Sequence, residues 1–196
     1  MTFNLPIQMY DPKREYQENK DNIQKNINDV LNHGIFINGP EVKELEATLK
    51  NYVNTKHAIS VSSGTDALTI SLLALGIKPG DEVITVAHTW ISTAETIALI
   101  GATPKFIDID SSTFNMDPLC LENAITENTK AIIIVSLYGL TADIDKINSV
   151  AEKFSIPVIE DGAQSFGAEY NNKKSCSLTT IGTTSFFPSK PLGCYG

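Results

Sequence analysis

The chain has 196 residues, with fifteen lysines and arginines against twenty-three acidic residues, a net charge of −8 and 42% hydrophobic content. That length supports one domain, or one large domain with an appendage, around a real core. The negative charge argues against nucleic acid or an anionic membrane as the main partner, and no apolar run approaches the ~20 residues that span a bilayer.

Residues 1–10 lack the basic-then-apolar plan of a secretory signal. Residues 12–32 are polar, with Ile23, Ile27, Val30 and Leu31 at helical spacing, and His33-Gly34 supplies a helix stop. A second amphipathic helix follows, with Pro40 in its first turn and Val42, Leu45, Leu49 and Val53 along one face. Beyond it, apolar β-branched runs at 58–61, 82–86, 105–109, 131–137 and 157–159 alternate with helical stretches at 66–75, 92–100, 118–124 and 144–154. Residues 171–174 predict a turn between two short strands, and 183–187 a further strand. The alternation predicts an α/β fold, a mostly parallel sheet covered by helices on both faces. Residues 1–35 form an N-terminal helical segment and 36–196 the main domain. The composition and the absence of a signal predict a cytoplasmic protein. Cys120, Cys176 and Cys194 show no CxxC or metal spacing and read as thiols in a reducing compartment. His33, His57 and His88 form no metal or triad spacing, so no metal is expected.

Ligands of open parallel sheets sit outside the carboxyl ends of the strands. Ser62-Ser63-Gly64-Thr65 joins a predicted strand to a helix, where free N–H groups and close approach at Gly64 suit an anion. An ordinary Ser/Thr N-cap is the competing reading. Neither GxGxxG nor a P-loop is present. Trp90 stands at a strand end, as a core aromatic or a platform for a flat ligand. Asp161 ends a buried strand, where a carboxylate wants a cation or several donors; strand alternation directs only one of Glu160 and Asp161 to a given face. Lys190 is flanked by Phe, Pro and Gly, a setting that makes an amine a better nucleophile toward carbonyls, although for this residue taken alone an ordinary surface-loop lysine is the commoner case. Together, an anion site, a flat aromatic, a strand-end Asp and a late Lys are what pyridoxal 5'-phosphate requires.

The stretches Ser63-Gly64-Thr65-Asp66-Ala67-Leu68, Pro79-Gly80-Asp81-Glu82-Val83-Ile84, Gly101-Ala102-Thr103-Pro104 and Val158-Ile159-Glu160-Asp161-Gly162-Ala163-Gln164 carry a specific resemblance. With the ending Ser185-Phe186-Phe187-Pro188-Ser189-Lys190-Pro191-Leu192-Gly193-Cys194-Tyr195-Gly196, the chain resembles the DegT/DnrJ/EryC1/StrS sugar-nucleotide aminotransferases. The resemblance implies the large domain of a fold-type I pyridoxal-phosphate transferase. It implies that Lys190 holds the cofactor's aldehyde as an imine and then shuttles a proton. Asp161 matches the partner of the pyridine nitrogen, Gln164 the partner of the ring hydroxyl, Trp90 the stacked aromatic, and Gly64, Thr65 and Ser185 the phosphate contacts. Lysine at 190 favours transamination over dehydration, since dehydratases of the family carry His there.

The last loop is most similar to the branch that aminates C3 of UDP-2-acetamido-2-deoxy-3-keto-hexuronic acids, for bacterial surface polysaccharides such as lipopolysaccharide. Glutamate is the implied amino donor and a homodimer the implied assembly. A 4-keto-6-deoxy sugar nucleotide is the alternative substrate. Two other classes compete: a cofactor-binding but inactive fragment, and a generic nucleotide-binding module without covalent chemistry. The family continues past the position of Gly196 with another strand and a small domain, so the resemblance implies a chain incomplete at its C-terminus.

Overall fold

The computed structural model describes residues 10–195. The chain divides between Leu49 and Lys50 into two compact units. In the first, α1 (Pro12–His33) begins where the Asp11 side chain accepts from the Arg14 N–H and Pro12 supplies a preset φ. It ends at Gly34, whose left-handed φ of 68° lets its N–H reach the Val30 carbonyl at 3.0 Å. The predicted apolar stripe lies on this helix, but none of its residues is buried. A second helix, α2 (Pro40–Val53), runs across the division. His33 Nε2 lies 2.8 Å from Glu41 Oε1 at its start.

The second unit is built on a five-stranded sheet. Its strands are β1 (Glu82–Val86), β2 (Thr103–Ile107), β3 (Thr129–Val135), β4 (Val158–Asp161) and, after the hairpin β5 (Glu169–Tyr170) and β6 (Lys173–Lys174), β7 (Ile181–Thr183). The order is β2-β1-β3-β4-β7 and every pairing is parallel. Helices α3 (Gly64–Ala74), α4 (Ser92–Leu99), α5 (Pro118–Ala124) and α6 (Ile144–Lys153) complete the unit.

Strand alternation sorts the core into two layers. Val83, Ala131, Ile133 and Ile159 pack with Leu68, Leu72 and Ile97 of α3 and α4 on one face. Ile84, Ile132, Ile134 and Val158 pack with Leu121, Ile144, Ile147 and Ala151 of α5 and α6 on the other. This is the expected α/β architecture. Several strand expectations shift, the 131–137 run among them, which forms Thr129–Val135. Residues 58–61 form no ladder; no described strand pairs with them, and Ile59 is 81% exposed. An apolar run becomes a strand only where a neighbour takes its N–H and C=O groups. The run at 105–109 pairs two residues earlier, because Gly101 closes the turn after α4 and brings the Thr103 N–H to the Asp81 carbonyl at 2.9 Å. Finally, the strand expected at 183–187 occupies Ile181–Thr183. Beyond it the backbone closes local turns, with the Lys190 N–H on the Phe187 carbonyl at 2.8 Å.

The strand order winds outward in opposite directions from β1 and β3, a switch point that places a crevice at the carboxyl end of the sheet. Among the described residues no helix is long and apolar enough to cross a membrane.

Candidate active site

Adjacent residues of β4 send their carboxyl groups to opposite faces. Asp161, 8% exposed, points to the α4 side. Its Oδ2 accepts from the Thr93 hydroxyl at 3.0 Å and its Oδ1 from the Ala163 N–H at 3.2 Å. Burial pushes its pKa up, and the Ala163 N–H, the Thr93 hydroxyl and the charge of Lys190 act against that shift. Among the described residues no basic nitrogen lies within 4.0 Å of it, so it is a buried carboxylate with two donors and no paired cation.

Glu160, fully buried, turns the other way. It accepts from the Ser175 hydroxyl at 2.7 Å, the Ser136 hydroxyl at 3.1 Å and the Cys176 N–H at 2.8 Å. Burial raises its pKa against these donors, and desolvation, followed by the charge of Glu160, drives the Cys176 thiol to about 12. Glu160 therefore ties the hairpin segment to the sheet, while Asp161 is held from the α4 side.

Lys190 and Gln164 line one open cleft of about 390 Å³ with Ser189 and Pro191, within the size range of small-ligand sites. The Lys190 loop closes through the Cys194 N–H on the Phe186 carbonyl at 2.9 Å, and a Cβ at Gly193 would overlap the Pro188 carbonyl oxygen. An aromatic run anchors the loop: Phe186 meets Phe166 edge-on at 6.1 Å, Phe166 stacks on Tyr52 at 5.4 Å, and the Lys174 ammonium lies 4.6 Å from the Tyr52 ring. Gln164 is oriented from across the crevice. Its Oε1 accepts from the N–H of Tyr138, a residue held in the left-handed region (φ 56°). The Tyr138 hydroxyl lies 3.3 Å from His88 Nε2.

At the start of α3, the Ser63 side chain accepts from the Asp66 N–H at 3.0 Å, so the N-cap reading is realised. The first N–H groups of the helix still point outward. Gly64 lies directly against Ser185; a Cβ there would stand 2.8 Å from Ser185 Cβ and 3.3 Å from its Oγ. Thr65 Oγ1 lies 3.0 Å from Ser92 Oγ, linking the starts of α3 and α4. Trp90 is 70% exposed at the end of β1, and its carbonyl accepts from the Thr93 N–H at 3.1 Å. The structure thus groups Gly64 with Ser185, and Gln164 with Lys190 in the cleft; Thr65 and Trp90 sit at the adjoining helix starts, bonded to Ser92 and, through the Trp90 carbonyl, to Thr93. Sequence reasoning missed Thr93 and Tyr138. Thr93 reads as an ordinary helix-start threonine, and only its burial reveals the partner.

The arrangement offers an outward helix start lined by hydroxyls, an unpaired buried carboxylate, and an amine in an open cleft. It suits a ligand with an anionic end, a basic ring nitrogen and a group reactive toward amines. The sequence profile of the DegT/DnrJ/EryC1/StrS aminotransferase family matches residues 17–196. The chain is 58% identical to the UDP-2-acetamido-2-deoxy-3-oxo-D-glucuronate aminotransferase of Pseudomonas aeruginosa, over 97% of this chain and 53% of that protein. Its fold matches the crystal structure of S. venezuelae DesV with a TM-score of 0.95 and 38% identity, over 97% of this chain and 51% of that one. It also matches Bacillus subtilis NtdA with bound cofactor PMP, with a TM-score of 0.89 and 34% identity, over 100% of this chain and 45% of that one. The chain spans about half the length of the curated relatives it matches.

Proposed function

The chain belongs to the DegT/DnrJ/EryC1/StrS aminotransferase family, and from that premise we propose that it supplies the cofactor site of a pyridoxal-phosphate-dependent sugar-nucleotide aminotransferase. The fold is that of a fold-type I domain, which we take as residues 36–196. The observation that carries the reading is Asp161: a buried carboxylate, held by two donors and lacking a paired cation, in reach of the Lys190 charge. The residues present fit the cofactor. Gly64 and Ser185 form a cradle that a Cβ would fill, at the outward end of α3.

Pyridoxal phosphate, when bound, supplies the electron sink that lets an amino group replace a keto oxygen. Asp161 would hold a proton on the ring nitrogen, as an opposite charge favours the protonated form. Gln164, fixed by the Tyr138 N–H, would bond the ring hydroxyl. Gly64, Thr65 and Ser185 would bind the phosphate through N–H and hydroxyl donors. Trp90, exposed beside them, would cover the ring. Lys190 would hold the cofactor covalently through Nζ and, once displaced by the amino donor, move a proton at the substrate carbon.

For substrate we propose a UDP-linked 3-keto-hexuronic acid, with glutamate as donor, in cytoplasmic synthesis of a surface polysaccharide by a homodimer. The similarity to the Pseudomonas aeruginosa 3-oxo-glucuronate enzyme supports the sugar. The test is amino transfer from glutamate to a panel of 3-keto and 4-keto UDP- and dTDP-sugars. Preference for the UDP-3-keto-hexuronate is expected; equal turnover on all would refute the substrate assignment.

A further inference from the structure

We propose that Thr93 is a positioning residue for Asp161: its hydroxyl, supported by Thr89, fixes the carboxylate in the orientation and ionised state that a bound pyridine nitrogen requires, a role that rests on the reading of Asp161 given above. Thr93 lies fully buried in the first turn of α4. Its Oγ1–H donates to Asp161 Oδ2 at 3.0 Å, and Thr89 Oγ1 lies 2.9 Å from the same oxygen of Thr93. A hydroxyl has one proton to give. With that proton committed to the carboxylate, Thr93 Oγ1 accepts from Thr89, and two hydroxyls form a directed chain ending on Asp161. Hydrogen bonds in such a chain polarise one another at low dielectric.

The other groups around the carboxylate leave this role to Thr93. Oδ1 takes the Ala163 N–H at 3.2 Å, a donor within its own turn. Lys190 contributes favourable charge from the last loop. Cys176 stays a neutral thiol at ordinary pH, and Glu160 faces the opposite side of the sheet. Among the described residues, Thr93 alone hydrogen-bonds the carboxylate from another element through a side chain. Its own N–H bonds the Trp90 carbonyl at 3.1 Å, so the same residue fixes Asp161 relative to the turn bearing Trp90.

The test uses Thr93→Val, which keeps the shape and removes the donor, with Thr93→Ser and Thr89→Val. Two readouts are taken on the purified protein: the carboxyl carbon-13 NMR titration of Asp161 without cofactor, and retention of pyridoxal phosphate. Thr93→Val should raise the Asp161 midpoint by about one to two pH units and weaken retention about ten- to a hundredfold, the scale of a hydrogen bond to a charged group. Thr93→Ser should restore both, and Thr89→Val should shift both in the same direction by less. An unchanged midpoint in Thr93→Val, or equal impairment in the Val and Ser variants, overturns the role. If Thr93→Val fails to fold, half-buried Thr89 decides, and an unchanged midpoint in Thr89→Val overturns it. Wild-type protein that shows the NMR shifts but takes up no pyridoxal phosphate overturns the cofactor reading instead.

Discussion

Gly64→Ala tests the cradle through a single methyl group. The new Cβ would stand 2.8 Å from Ser185 Cβ and 3.3 Å from both Ser185 Oγ and the Thr184 carbonyl oxygen. Carbon–carbon contacts are comfortable near ~3.5 Å, so the start of α3 and the 184–190 loop must separate by about 0.7 Å. Overpacking of that kind costs about 1–3 kcal/mol. Alanine's helix preference over glycine returns up to about 1 kcal/mol, and less in a first turn. The expected net loss is therefore about 1–2 kcal/mol by urea denaturation, with a larger fall in pyridoxal phosphate retention, since the displaced groups are the proposed phosphate donors. Adding Ser185→Gly removes the opposing Cβ and Oγ. The double variant should regain most of the stability but not the retention, because the hydroxyl is gone. A Gly64→Ala protein as stable and as retentive as the wild type would refute the close approach. A double variant that regains cofactor but not stability would refute the division of roles.

Two further predictions concern the carboxylates outside the crevice. Asp143 caps α6 and pairs Lys146 Nζ at 2.7 Å; the Lys146 bond, followed by its N–H and charge and the Tyr170 hydroxyl, holds the Asp143 pKa below the ordinary range against partial burial. A depressed folded pKa gives stability present above the unfolded value and lost as pH falls through the folded one. Asp143→Asn should thus cost about 0.5 kcal/mol at neutral pH, discounted for exposure, and the gap to wild type should close on acidification in parallel denaturation curves. A gap that widens in acid would contradict the assignment. Glu160→Ala should cost about 2–4 kcal/mol, because it strands the Cys176 N–H and the Ser136 hydroxyl in the interior and leaves the Ser175 hydroxyl to its Ser165 partner. A denaturation midpoint unchanged from wild type would show that water reaches this network.

The elements that the sequence predicts well are those whose signals are local. Pro12, His33 and Gly34 bracket α1, and Pro118 and Asp117 open α5, because caps and stops act within one turn. Of the proposed site residues, Asp161 and Gln164 follow an apolar run that does form a strand, and strand alternation separates Glu160 from Asp161 as the structure does. Two kinds of feature escaped. Residues 58–61 carry strand composition, but a strand depends on a neighbour that composition does not reveal. Thr93 and Tyr138 act through partners 68 and 26 residues away, and nothing in their local sequence distinguishes them from ordinary polar and loop residues. The Lys190 loop had strand-like residues in Ser185-Phe186-Phe187, yet Phe186 is drawn to Phe166 and the backbone turns back on itself instead.

Lys190 is the proposed point of cofactor attachment. The direct measurement is borohydride reduction of the protein incubated with pyridoxal phosphate, followed by peptide mass mapping. The predicted result is one stable adduct on Lys190, abolished in Lys190→Ala while the unfolding free energy stays within about 0.5 kcal/mol of wild type. An adduct spread over surface lysines, or one that survives in Lys190→Ala, would contradict it.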